Sequence, residues 1–303
     1  MTLQLHLRRH PLIWFAVLSI VLSWWAWPLY GLGLLPVPVA PFGPFLAALA
    51  ILMVTEGKCG VVGLFRRMGR WRVNVIWYFV ALATPFVLSA MAMIINLALG
   101  AEVQVSVADI DGLDVLTTFA LVLLIPGFAG AWEEPGWRGY AVPRLQSGRT
   151  ALRAALILGV LVAGWHLPLI LVGQVSWTDM IQIIGAVIVF NWLFNNARGS
   201  VLIIMLAHAS NNTVWSTLTS KVVAEPDFGR QAVLQAVVWC ATAVIVVLLA
   251  GPTDLSRRHT KQEEPLSVRR QGGQRLPVSA GVADPSWTTP HSNTNLIREG
   301  RWP

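Results

Sequence analysis

Glu133 and Glu134 stand side by side at the end of an apolar run, and Arg138 follows four residues after the second of them. An ionisable group at the centre of a membrane helix costs roughly 2.5 to 3.5 kcal/mol, so acids at that depth point to function first. Pro135 disfavours the helical region for Glu134 and suits the first turn of a new helix. A break is therefore expected at the carboxylates, with a short helix from about 135 to 146. Carboxylates at such a helix start are favoured by its positive dipole end. Arg138 shares a face with Glu134 only if the helix runs through the pair, and a structural counter-ion is its simplest reading.

Imidazoles and an amide complete the set. His166 lies in Trp165-His166-Leu167-Pro168, and a lone His in an apolar helix is more often a packing residue than a catalyst. His208 and Asn212, four apart, share one helical face, with Ser210 and Asn211 pointing elsewhere. Taken alone they would serve equally as interhelical hydrogen-bond partners. Asn191, Asn195, Asn196 and Arg198 flank a tight connection and read as turn and cap chemistry. An acid, two imidazoles and an amide together suit hydrolysis: a Glu as general base on water assisted by one His, with the other His and Asn212 as oxyanion donors. The same residues leave a second option open, in which Glu133, His166 and His208 hold zinc and the metal lowers the pKa of its water. The sequence contains no His-Glu-x-x-His helix, the most specific signature of that option.

The elements that must carry these residues are apolar. Of 303 residues 55% are hydrophobic and 12% charged, against about a quarter charged in soluble domains. This composition describes an all-α, polytopic membrane protein. At about 20 residues per crossing, spans are expected near 11–34, 40–56, 73–99, 113–132, 151–173, 178–195, 200–219 and 231–250, eight in all around a polar intramembrane cavity. The 15 Trp suit interface belts. Arg8-Arg9-His10 before an apolar stretch reaching about Leu35 has the look of an export signal, but without a cleavage site it reads as a retained first span. Cys59 and Cys240 form no disulfide framework and no metal-ligand spacing.

Charge orients the chain. With the N-terminus inside, the inner segments hold Arg8, Arg9, Lys58, Arg66, Arg67, Arg70, Arg72, Arg138, Arg144, Arg149, Arg153 and Arg198, whereas the outer loops hold only Lys221 and Arg230. That bias puts both termini in the cytoplasm and accounts for the net charge of +7 without a nucleic-acid partner. From Thr253 the sequence turns polar and basic, so a transmembrane domain is expected over 1–252 and a disordered cytoplasmic tail over 253–303.

The motif residues resemble the CAAX protease and bacteriocin-processing (CPBP, Abi) family of intramembrane proteases, relatives of the Ras-converting CAAX endopeptidases. Glu133-Glu134-x-x-x-Arg138 with Gly139-Tyr140-x-x-Pro143-Arg144-Leu145 is similar to the first motif, and Trp165-His166-Leu167-Pro168-Leu169 to the second. Trp192-Leu193-Phe194-Asn195 through Gly199-Ser200 to His208-x-x-x-Asn212 is similar to the last, within a core of about 113–219. The resemblance implies that Glu133 and His166 activate water, His208 and Asn212 stabilise the oxyanion, and Glu134 and Arg138 support them. The family is commonly described as metalloproteases, so the resemblance implies a metalloendopeptidase that uses zinc, while a metal-free glutamate mechanism fits the same residues. Val162 stands where the family usually has an aromatic, a departure expected to touch substrate fit more than chemistry. The resulting expectation is a multi-pass protease of a bacterial cell membrane, embedded in lipid and acting on a peptide or protein presented from the cytoplasmic side. Two other classes compete with it: a non-catalytic scaffold or bacteriocin self-immunity protein of the same fold, and a transporter with an acid proton relay.

Overall fold

The computed structural model describes residues 3–256, and these form helices joined by short connections. The expected tail, apart from its first four residues, lies outside the described residues. In chain order the helices begin with α1 (Leu3–Arg9), α2 (Pro11–Trp24), α3 (Ala26–Gly31), α4 (Gly43–Thr55), α5 (Lys58–Met68), α6 (Ile76–Ala98) and α7 (Gly112–Leu124). A composite helix follows: a 3-10 turn (Gly130–Glu133), α8 (Glu134–Gly136), a π-helical turn (Trp137–Ala141) and α9 (Val142–Gln146). The remainder is α10 (Ala151–Trp165), α11 (Leu167–Leu171), α12 (Trp177–Asn196), α13 (Val201–Thr213) with a π-helical extension over Val214–Thr219, α14 (Ser220–Val222) and α15 (Phe228–Ala250).

A helix stands at each of the eight expected places. Four segments, Pro11–Gly31, Ile76–Ala98, Trp177–Asn196 and Glu225–Ala250, are long and apolar enough to cross a membrane, while α4, α7 and α10 are shorter apolar helices. Their outward faces remain apolar: α6 exposes Phe79, Phe86 and Ile94, and α15 exposes Val237, Val244 and Leu248. Continuous surfaces of this kind call for a hydrocarbon surrounding, and the molecule is an integral membrane protein.

Inside, aromatic packing does more than interface anchoring. Trp137, Trp165 and Trp239 are buried. Phe15 of α2 meets the Trp137 ring edge-on at 5.5 Å and the Tyr140 ring at 4.7 Å, contacts worth about 0.5–1.5 kcal/mol each beyond their area. Trp24 Nε1 donates to the Trp165 carbonyl at 3.0 Å, which ties α2 to the end of α10. Gly136 lets the composite helix sit on α4, since a Cβ there would lie 2.7 Å from Pro44 Cβ and closer still to the Pro44 carbonyl.

The chain continues to pack after α15. The N–H groups of Ala151 and Leu152 donate to the carbonyls of Thr253 and Pro252 at 2.7 and 3.0 Å, so this segment serves the open N-terminus of α10. Asn195 and Asn196 at the end of α12 donate to the Asp254 and Leu255 carbonyls at 2.8 and 2.9 Å. Leu255 is fully buried. The two asparagines, expected to serve their own turn, instead hold this strap, and Arg198 with φ 58° makes the turn.

Candidate active site

The composite helix explains how neighbouring acids take different partners. It begins at Gly130, ahead of the carboxylates, and Glu134 is helical (φ −62°, ψ −35°), so the break expected at the acids lies upstream, in 125–129. Pro135 needs no N–H partner in a first turn, and helical continuity is what lets Glu134 face Arg138. Arg138 Nη1 donates to both Glu134 oxygens, at 3.0 and 2.9 Å. Glu133 turns away and accepts from Trp137 Nε1 at 3.1 Å. The π-helical turn follows at once, with the Val142 N–H reaching the Trp137 carbonyl five residues back. Pro143 cannot donate into this stretch and its ring crowds the carbonyl four residues earlier, which favours the wider turn. Such turns are frequent at functional sites.

Arg138 is buried, and its Nε donates to Asn191 Oδ1 of α12 at 3.3 Å. Asn191 therefore supports the site, which corrects its reading as turn chemistry. The guanidinium also lies 5.3 Å from the centre of the Phe190 ring. At the far end of the composite helix Arg144 pairs with Glu56 at the end of α4 and covers the Tyr140 ring at 3.9 Å.

His208 of α13 points its Nδ1 at Glu134 Oε1, 2.6 Å away. Its other ring nitrogen faces Glu133 across Gly130: a Cβ on Gly130 would collide with His208 Nε2, lie 2.7 Å from His208 Cε1 and lie 2.8 Å from Glu133 Oε1. Glycine is required at this point because the two functional groups close around it. Gly130→Ala is expected to cut turnover about a hundredfold, the usual scale of an ångström-level misplacement. Gly164→Ala near His166, where a Cβ meets nothing within 4 Å, is the matched control with activity retained.

His166 sits where α10 ends and α11 begins, with Pro168 in the first turn of the new helix. Its Nδ1 lies 2.8 Å from the Val162 carbonyl. A carbonyl only accepts, so Nδ1 carries the proton and Nε2 keeps a lone pair. This hydrogen bond uses the Val162 backbone and is indifferent to the missing aromatic side chain.

Glu133, Glu134, Arg138, His166, His208 and Asn212 all line one cavity of about 510 Å³. Asn211 lines it too, contrary to the expectation from helical spacing, whereas Ser210 turns away and donates to the Leu82 carbonyl at 2.8 Å. Among the described residues no three His, Cys, Asp or Glu side chains come together as a metal-binding group. Glu133, His166 and His208 share the cavity without forming such a group, and His208 Nδ1 is already engaged by Glu134. Sequence reasoning missed Gly130 and Asn191, whose parts depend on close approach or on a residue far along the chain, and Trp137, whose bond to Glu133 one helical turn back the spacing of four could have signalled.

A buried acid and arginine pair with imidazoles around a cavity in a helical membrane protein defines an intramembrane acid and imidazole site. Residues 115–214 match the family described as type II CAAX prenyl endopeptidase Rce1-like. The chain is also 30% identical to CAAX prenyl protease 2 of Methanococcus maripaludis over 109 residues, which make up 32% of this chain and 40% of that relative. This segment contains every motif residue named above, and through it the chain is similar to the CAAX proteases, spanning less than half the length of that relative.

Proposed function

We propose that this protein is an intramembrane endopeptidase that hydrolyses a peptide bond with a water activated by Glu133 and His166. The observation that supports this most is the closure of Glu133 Oε1 and the His208 ring around Gly130, on the wall of a cavity that His166 and Asn212 also line. Water attacks the scissile carbonyl carbon and gives its proton to Glu133, with His166 Nε2 as the second acceptor. The carbonyl oxygen becomes the oxyanion, held by His208 Nε2–H and the Asn212 amide. The abstracted proton then passes to the leaving nitrogen as the carbon–nitrogen bond breaks.

His208 donates from Nε2 while its Nδ1 stays bonded to Glu134 only when both ring nitrogens carry protons. Two ionised glutamates, Arg138 and a protonated His208 then sum to zero charge, a favourable balance for a buried site. No step here is routed through zinc; Glu133, His166 and His208, which share the cavity, are the residues that would hold it and lower the pKa of its water.

Eight crossings with both ends in the cytoplasm follow from the split of basic residues, and they bring substrate from that side. The relative's name points to prenylated CAAX proteins as one substrate class. The test is purified protein in liposomes with two fluorogenic probes of equal length, a farnesylated peptide ending in a CAAX sequence and an unprenylated apolar peptide. Cleavage of either probe that persists in excess chelator is the expected result. Loss of cleavage restored by stoichiometric zinc would replace the metal-free mechanism, and no cleavage of any probe would leave the scaffold reading in its place.

A further inference from the structure

The cavity has a polar wall outside the family-matched segment. Gln235 of α15 is buried and lines the cavity. Its Nε2 donates to Ser89 Oγ of α6 at 2.7 Å, which fixes the amide, while its Oε1 has no hydrogen-bond partner. A buried acceptor without a partner is destabilising, a penalty that a ligand donor would remove.

The depth of Gln235 follows from the helices around it. Ser200 Oγ donates to the Arg70 carbonyl at 2.6 Å and Ser210 Oγ to the Leu82 carbonyl at 2.8 Å, so α6 and α13 run in the same direction. Ser89 lies two helical turns beyond Leu82, roughly 10 Å further along the direction the two helices share. Gln235, bonded to Ser89, therefore lies about two helical turns beyond the level of Ser210, past His208 and Asn212 along the cavity wall. An extended peptide rises about 3.3 Å per residue, so this distance is three to four residues of substrate.

We propose that Gln235 is a substrate-positioning residue whose side-chain carbonyl accepts a backbone N–H of the bound peptide three to four residues from the scissile bond. This rests on the endopeptidase reading and names a subsite for it. Main-chain recognition of this kind favours an extended segment and disfavours a helical one, whose N–H groups are already used.

The test uses the full chain in liposomes, the two probes above, and versions of each N-methylated at one backbone amide at a time. In the wild-type protein one N-methyl position, three to four residues from the cut, is expected to raise KM about tenfold with kcat little changed, as for one lost hydrogen bond. Gln235→Met, similar in length, should raise KM for the unmethylated probe by a similar factor and be insensitive to methylation at that position. Ser89→Ala keeps the acceptor and should show a smaller rise. Wild-type KM in Gln235→Met, or equal N-methyl losses in both proteins, would overturn the inference and leave Gln235 as a structural or water-binding residue. If the wild-type protein cleaves neither probe, the endopeptidase reading fails by itself. The same peptides are then compared by fluorescence anisotropy, and equal affinity for wild type and Gln235→Met overturns the subsite independently.

Discussion

Glu133→Gln is expected to lower the turnover of a cleaved probe by about 10³-fold or more, at the upper part of the range for losing a general base. The substitution preserves shape and leaves a carbonyl oxygen to accept from Trp137 Nε1, so membrane insertion and thermal stability should stay at wild-type levels. KM should move little, because the change removes proton transfer and not substrate contact. Kinetics on both proteins in the same liposomes decide the matter. Full activity would sink the assignment of Glu133 as base. If binding of a partner or protection from a bacteriocin survives unchanged in a cleavage-dead variant, the biological role is the scaffold and the chemistry is incidental to it.

Glu134→Ala should act quite differently, through stability first. It leaves the buried Arg138 guanidinium without its carboxylate and frees His208 Nδ1 at the same time. Breaking a buried ion pair on one side typically costs about 3–5 kcal/mol, enough to lower the unfolding temperature markedly. Replacing both partners, as in Glu134→Leu with Arg138→Met, removes the stranded charge and should recover much of that loss. Activity should not return with it, because the imidazole remains without the carboxylate that holds it. Thermal unfolding followed by tryptophan fluorescence, paired with turnover, separates the two effects. A double variant as unstable as Glu134→Ala would show that the ion pair is not what the single substitution disrupts.

The sequence carried the parts of this site that depend on local spacing. Glu134 and Arg138 are four apart on a helix that does run through Pro135, and His208 and Asn212 share the cavity as their spacing required. Asn191 could not be recognised the same way. It stands 53 residues from the arginine it contacts, and only the packing of α12 against the composite helix joins them. Gly130 was equally hidden, since its importance is the side chain it lacks. Asn211 shows the limit of helical-face arguments near a helix end: α13 passes into a wider turn at Val214, and adjacent residues reach the same wall. Hydropathy located all eight helical places but overstated several lengths, because buried apolar helices and crossing helices share a composition.

The strap after α15 bears on how the molecule can be cut and joined. Pro252 and Thr253 supply acceptors to the first turn of α10, the helix that carries His166 at its opposite end, and Leu255 fills space in the interior. A chain stopped at Ala250 would keep every apolar helix and still lose the carbonyls that finish α10 and those that occupy Asn195 and Asn196. The packed unit therefore extends at least to Ser256, and any truncation upstream of that residue is expected to disturb the ends of α10 and α12.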